Sequence, residues 1–342
     1  MKDQTLKRWM RGMLTAGILC GLHQMVVYAQ QSIFPHPPAK RNVTISNGGL
    51  SITFNIAWGA VVVAIRNAHV ANGMNIVDVH DVGREFQVDQ FLHLMKDGKR
   101  SLMINPTQAG ALGRQAYYMH PRGVAIPQVG SKVEKWTAGP SEFHATIDPL
   151  DYDTGNPTNW VYVEDVRIDS QGVARFHFTF YNHEKTTYLL ESEVPTLYSD
   201  STDAFLFPLA SPYGHSNPSA QPLKSEEWPV KMVHGEKWPQ GHLKSLGWIA
   251  NIDTKDDLGI FYTTPPGCPE TYGIFPNPTY PGMRPLGKTN VSTGRLTSYP
   301  GEIYSIDYSV LVSSIKDGVG LIAKQPPAIL TIVKNLPPGS SK

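Results

Sequence analysis

The sequence predicts an all-β protein, a large antiparallel β super-sandwich with long loops over one end. Three observations predict it. Apolar residues recur with period two in several short runs, most plainly where Ala174, Phe176, Phe178 and Phe180 alternate with Arg175, His177, Thr179 and Tyr181. Turns rich in Gly, Asn and Pro separate these runs, as between strands of a sandwich. Beyond the first 29 residues there is no helical periodicity of ten residues or more, and no repeat of 20–50 residues that would signal a propeller or solenoid. The 342 residues suffice for one large or two ordinary domains, and sandwiches commonly use more than 200 as a single unit. The organisation expected is therefore a leader (1–29), a Pro-rich lead-in (30–42), one sandwich (43–335) and a flexible tail (336–342).

The leader reads as a secretory signal peptide. Lys2, Lys7, Arg8 and Arg11 give a basic start, and Met13 to Val27 is apolar but too short for a good membrane span. Val27-Tyr28-Ala29 offers a small-residue cleavage site before Gln30. A lipoprotein reading through Cys20 is disfavoured by the bulky Leu19. The expected address is periplasmic or secreted. Cleavage removes four basic residues and one acid from the chain's 30 and 29, leaving 26 against 28, a net charge near −2. That balance argues against nucleic acid, which asks for a basic stripe. No later apolar run is long enough to span a bilayer, so no membrane partner is expected after cleavage. Cys268 alone survives cleavage, so no intrachain disulfide is expected, and between Gly267 and Pro269 it reads as a small packing residue. The sequons Asn42-Val43-Thr44 and Asn290-Val291-Ser292 matter only if the host glycosylates.

The remaining elements follow in order. Val43–Ile45 and Leu50–Phe54 flank Ser46-Asn47-Gly48-Gly49, a strong hairpin signal. Ala60–Ile65 is a β-branched run. Asp78 to Gln90, DVHDVGREFQVDQ, packs Asp78, His80, Asp81, Arg84, Glu85, Gln87, Asp89 and Gln90 into thirteen residues. If extended, it places Arg84, Phe86, Val88 and Gln90 on one face, with Glu85, Gln87, Asp89 and Phe91 on the other. Neither face is a clean apolar stripe, which suits a polar cleft or a solvated edge. Val161–Ile168 and Val173–Tyr181 form a hairpin around Asp169-Ser170-Gln171-Gly172, and its three Phe residues require a covering layer. Tyr188–Val194 is a strand with Glu191 and Glu193 on one face, ended by Pro195. Ser211 to Gln240 reads as a long excursion that docks on something, given Trp228, Trp238, His234 and His242. Leu246–Ile252 and Gly259–Thr263 form another hairpin, Cys268–Leu286 is Pro- and aromatic-rich, and Ile303–Val312 and Ile329–Val333 are late strands.

Taken in series, several of these pieces resemble the galactose-mutarotase-like super-sandwich. They are Gly48-Gly49-Leu50-Ser51-Ile52, Asp81-x-Gly83-Arg84-x-x-Gln87, Asn105-Pro106-Thr107-Gln108-Ala109-Gly110, Glu193-x-Pro195 with Tyr198, and Gly247-Trp248-Ile249-Ala250 leading to Gly259-Ile260-Phe261. The resemblance spans roughly residues 43–315. It implies a sugar-facing cleft on the concave sheet, as in aldose epimerases and domains of polysaccharide lyases and glycoside hydrolases, without fixing a reaction. The epimerases' His pair and late glutamate are not matched as a set: His177 stands on a suitable strand, but Glu302 sits beside a turn.

Sugar sites combine Arg, carboxylates, amides and a stacking aromatic. The chain offers Arg84, Gln87, Gln108, Arg175, Tyr198, Trp228 and Trp238 for binding, and Glu191, Glu193 and His177 for acid/base work. Two residues apart on one strand, the glutamates are about 6.5–7 Å apart at Cα, compatible with the carboxyl spacings of glycosidases. Alternating Glu on a solvated face, and a hydrogen-bonded structural His, are the bland alternatives. Metal loops fail on inspection: Lys255 and Leu258 break the Ca²⁺ pattern of Asp253–Gly259, and no His pair has zinc-helix spacing. The chain lacks a Gly-x-Ser-x-Gly elbow, a P-loop and a Gly-x-Gly-x-x-Gly, so no cofactor is expected. The sequence thus points to an exported carbohydrate-active enzyme cleaving a glycosidic bond in an oligo- or polysaccharide. A non-catalytic carbohydrate-binding protein, an aldose epimerase and a structural or adhesive surface protein are the rivals.

Overall fold

The computed structural model describes residues 41–77, 86–95, 98, 100–104, 130–151, 156–200, 202–208, 230–234, 241–275 and 286–333. All fall within one compact unit, Pro37–Lys342. In chain order the strands are β1 (Asn42–Asn47), β2 (Leu50–Asn55), β3 (Val61–Asn67), β4 (Phe86–Leu94), β5 (Arg100–Ile104), β6 (Lys132–Ala138) and β7 (Glu142–Asp148). Then come β8 (Trp160–Ile168), β9 (Ala174–Asn182), β10 (Tyr188–Ser199), β11 (Ala204–Pro208), β12 (Val230–His234) and β13 (Gly241–Lys244). The last are β14 (Trp248–Asp253), β15 (Leu258–Thr263), β16 (Pro269–Phe275), β17 (Leu286–Ser298), β18 (Ile303–Ser313) and β19 (Ile329–Val333), with the α-helix α1 (Ile315–Ile322) before β19.

Two antiparallel sheets result. The first runs β1-β2-β3-β4-β10-β17-β16-β13, with β5 beside β4; the second runs β12-β11-β14-β15-β18-β9-β8-β7-β6, with β19 beside β18. Their inner faces meet in one core. Phe54 of β2 stacks on Phe143 of β7 with ring centres 3.9 Å apart, Phe86 of β4 lies 5.4 Å from Phe176 of β9, and Tyr272 of β16 lies 5.4 Å from Phe205 of β11. The period-two reading of β9 holds: Phe176, Phe178 and Phe180 are buried, each burial being worth about 1.5–3 kcal/mol. A smaller cluster, including Leu206, Trp248, Phe261 and Leu311, seats α1 against one half of the second sheet's outer face. Ser314 caps that helix by accepting from the Asp317 amide.

Several elements depart from the sequence reading: Val230–His234, inside the stretch 211–240 read as a long loop, is the strand β12 paired to β11. The charged stretch before Phe91 does contribute a core face: Phe86, Val88 and Gln90 are buried, and Gln90 accepts a 2.7 Å hydrogen bond from the Tyr162 hydroxyl of the opposite sheet. Nor does Pro195 end its strand. β10 runs on to Ser199 because the ladders to both neighbours skip Val194 and Pro195, the register shifting between Glu193 and Thr196. A bulge there removes the need for the amide that proline lacks.

Candidate functional site

β10 lies in the middle of the first sheet, between β4 and β17. Leu190 and Leu197 belong to the core, so alternation turns Glu191 and Glu193 to the outer face. β17 supplies the matching row. Val291 is buried in the core, and the Thr289 hydroxyl donates inward to Asn251 Oδ1 at 2.8 Å. Lys288, Asn290 and Ser292 therefore face outward beside β10. The Ser292 hydroxyl donates to Glu191 Oε1 at 3.2 Å. The Thr196 hydroxyl donates to Glu193 Oε2 at 2.8 Å, and Lys288 Nζ stands 3.7 Å from the same oxygen. Lys288 pairs with Tyr198 in register and holds its ammonium 5.2 Å from the centre of the Tyr198 ring, within cation–π range. The side chains of Lys288 and Glu193 are only 11% and 18% exposed, so water weakens their attraction less than at an open surface.

Asn290 lies between Lys288 and Ser292, opposite Thr196. It is 6% exposed, and its Oδ1 meets no hydrogen-bond donor among the described residues. A buried carbonyl left without a donor costs about 1–3 kcal/mol, and such groups call for an explanation. The second sequon is consequently closed to a glycan in the folded chain, whereas Asn42 of the first is exposed and accepts from Asn55 at 2.7 Å.

Of the residues singled out in the sequence, Glu191, Glu193 and Tyr198 come together here. Register places Gln87 opposite Thr196 and Asp89 opposite Glu193; the side chains of Gln87 and Asp89 are outside the described part. Arg84, Gln108, Trp228 and Trp238 lie outside the described residues. His177 and Arg175 do not join the site. β9 belongs to the second sheet, and since its phenylalanines face the core, His177 and Arg175 face away from the first sheet altogether. His177 is also held at both ring nitrogens, by Asp307 at 2.7 Å and by Thr179 at 3.0 Å. The one sugar-facing cleft expected to gather His177 and Arg175 with Glu191 and Glu193 is thus replaced by two separate outer faces. Lys288, Thr196, Asn290 and Ser292 were missed. The signal available for the first was weak: a lysine in a polar, glycine-containing run.

Cys268 packs partly buried against the core. Among the described residues no group of three or more His, Cys, Asp or Glu is placed to hold a metal, and no helix is long and apolar enough to cross a membrane.

No family model matches the chain, and no curated protein matches it. Among solved structures it is similar to a galactose mutarotase related enzyme from Lactobacillus acidophilus, with 11% identity over 80% of this chain and 97% of that one, at a TM-score of 0.46. It is similar to an aldose epimerase homologue from C. elegans, with 15% identity over 80% and 99% of the two chains, at 0.46. It is likewise similar to a galactose mutarotase-like protein from Clostridium acetobutylicum, with 9% identity over 80% and 95%, at 0.47.

Proposed function

We propose that the chain is an exported carbohydrate-active enzyme that acts on a glycosidic bond at the outer face of the first sheet. The observation that carries this reading is the seating of Glu191, Glu193 and the donor-less Asn290 carbonyl on one face of β10 and β17. Two carboxylates on alternate residues supply the acid/base pair that glycosidic cleavage uses. Thr196 and Lys288 both meet Glu193 at Oε2, which fixes the side chain's orientation. A sugar hydroxyl donating to Asn290 Oδ1 would satisfy the orphaned acceptor, and the Tyr198 ring with Lys288 orients the next part of the ligand. Arg84, Gln87, Gln108, Trp228 and Trp238 are the further substrate-binding residues of this proposal.

The test is Glu193→Gln, assayed on a polysaccharide panel for reducing ends, unsaturated uronates and melting shifts. Loss of one acid/base group is expected to lower turnover by about 10²–10⁴-fold, while a saccharide still raises the melting temperature. Unchanged rates would remove Glu193 from the mechanism. A binding-only reading has one observation in its favour, the Lys288 contact that already engages Glu193; a saccharide melting shift with no product from the wild type would select it. Export is tested by the N-terminus of the mature chain, expected at Gln30.

A further inference from the structure

The half of the second sheet's outer face that α1 leaves bare carries a hollow of about 520 Å³, within the range of ligand clefts, roughly 300–1,000 Å³. Its floor is a ladder of directly opposed residues. One row runs His144, Asp165, His177, Asp307 across β7, β8, β9 and β18. The next runs Glu142, Arg167, Arg175, Ser309 across the same strands. His144 binds Asp165 at 2.6 Å, and His177 binds Asp307 at 2.7 Å. Arg167 and Arg175 face each other across the hairpin, an arrangement that repels by itself. Among the described residues each has a loose acidic partner, Arg167 at 3.4 Å from Glu142 and Arg175 at 3.9 Å from Asp169.

Farther along the same face the character changes. Val161, Tyr181, Ile303 and Val333 form one row across β8, β9, β18 and β19. All four point outward, because Tyr162, Phe180, Tyr304 and Ile332 beside them pack into or against the core. The Tyr181 ring lies parallel to that of His183, and Val333 is 45% exposed. From Arg175 to Tyr181 the strip measures about 20 Å, at roughly 3.3 Å per residue.

We infer that this face binds a neutral saccharide chain, at a site separate from the Glu191–Glu193 patch. Two guanidiniums and three carboxylates line the hollow, so it offers no single-sign field to draw a bare anion or cation. It offers instead interleaved donors and acceptors, the complement of a polyol's hydroxyls. The apolar row with its tyrosine plate meets the C–H face of a sugar ring, as aromatic side chains with one apolar and one polar side do.

The experiment titrates the mature protein with cellohexaose, xylohexaose, mannohexaose and, as a charged comparison, hexagalacturonate, following backbone amide shifts by NMR. Shifts in 161–181 and 303–309 report this face; shifts in 188–199 and 286–298 report the first sheet. A neutral hexaose is expected to move the first set, with affinity lowered at least 10-fold by Arg175→Ala and by Tyr181→Ala and kept in Glu193→Gln. Arg167→Ala, whose side chain is 74% exposed, gives the same loss where folding is not at stake. Absence of shifts in this set with every neutral hexaose, preference for hexagalacturonate, or binding indifferent to all three alanine variants would overturn the inference. Shifts confined to 188–199 and 286–298 would overturn it too, while leaving the glycosidic reading intact.

Discussion

Glu164 is a residue whose chemistry and location oppose each other. Alternation along β8 turns it inward between Tyr162 and Val166, where it is 3% exposed. Burial, and secondarily the adjacent Asp165, raises its carboxyl well above the ordinary carboxylate range of about 4.5. Tyr308 is raised as well, by burial first and then by Glu164 and Tyr262. The folded chain therefore holds the Glu164 proton more tightly than the unfolded chain. The stability this group contributes is fully present below its unfolded value and is lost as pH rises toward its folded value. Glu164→Gln removes that dependence. Melting curves of both proteins from pH 4 to pH 8 should show the variant gaining on the wild type by a few degrees, since about 1 kcal/mol moves a domain of this size by a few degrees. Parallel curves across that range would mean that Glu164 does not titrate differently on folding. At this scale the sequence told part of the site: alternation alone placed Glu191 and Glu193 on one face. Thr196 and Lys288 were illegible because they meet Glu193 only across a bulge and through strand pairing, and Asn290 comes beside them only by pairing with Thr196.

Elements were legible where one face is apolar and the other polar. β8 and β9 show this, while β14 and β15 are buried on both faces and were legible as short apolar runs bounded by turns. β17 shows none of it: Leu286–Ser298 is polar, holds two glycines, and earns its place by pairing with β10 and β16. Gly287 is there because Thr202 packs where a side chain would stand, 2.3 Å from an added Cβ. The hairpin turns carry a second such constraint. The β1–β2 turn rests on the β8–β9 turn, and a Cβ on Gly48 would lie 2.3 Å from the Gly172 backbone nitrogen. Gly48 also has φ +54° and Gly172 φ +75°, which side chains resist. Asn47 of the first turn donates to the Ile168 carbonyl at 3.1 Å, fastening the two hairpins. Gly48→Ala should cost about 1–3 kcal/mol from backbone strain alone, plus the displacement of the facing turn. Gly172→Ala should do the same, and the double variant less than the sum, since both force apart one contact. Urea denaturation of the three variants gives the comparison; strict additivity would mean that the turns do not bear on each other.

Across the whole molecule, period two says that a strand has an inside and an outside, but not which sheet it joins. That is why Arg175 and His177, read on the polar face of one strand, and Glu191 and Glu193, read on one face of another, were expected in one cleft and lie on two faces. Sheet membership is decided by long-range pairing, β9 with β18 and β10 with β4 and β17, which leaves no local mark. The two sheets are also held in register by buried polar contacts. Tyr162 reaches Gln90 at one place. At another, Asn251 of β14 donates to the Ser199 hydroxyl of β10 at 2.6 Å and accepts from Thr289 of β17 at 2.8 Å, while Ser199 meets Thr202 at 2.6 Å. These strands are the ones that carry Glu193 and Lys288, so the network fixes the site from beneath. Asn251→Ala removes the acceptor of the buried Thr289 hydroxyl, at about 1–3 kcal/mol, while Ser199 keeps Thr202 and the Gly287 carbonyl. Thr289→Val removes one partner and keeps the shape. A double-mutant cycle between the two, read by urea denaturation, should give a coupling of about 0.5–3 kcal/mol. If the network also positions the carboxylates, Asn251→Ala lowers turnover on the panel substrate beyond the loss of folded protein, whereas Gly48→Ala, far along the sheet, lowers only stability. Equal effects of the two on turnover per folded molecule would detach the network from the site and leave it a purely structural fastening.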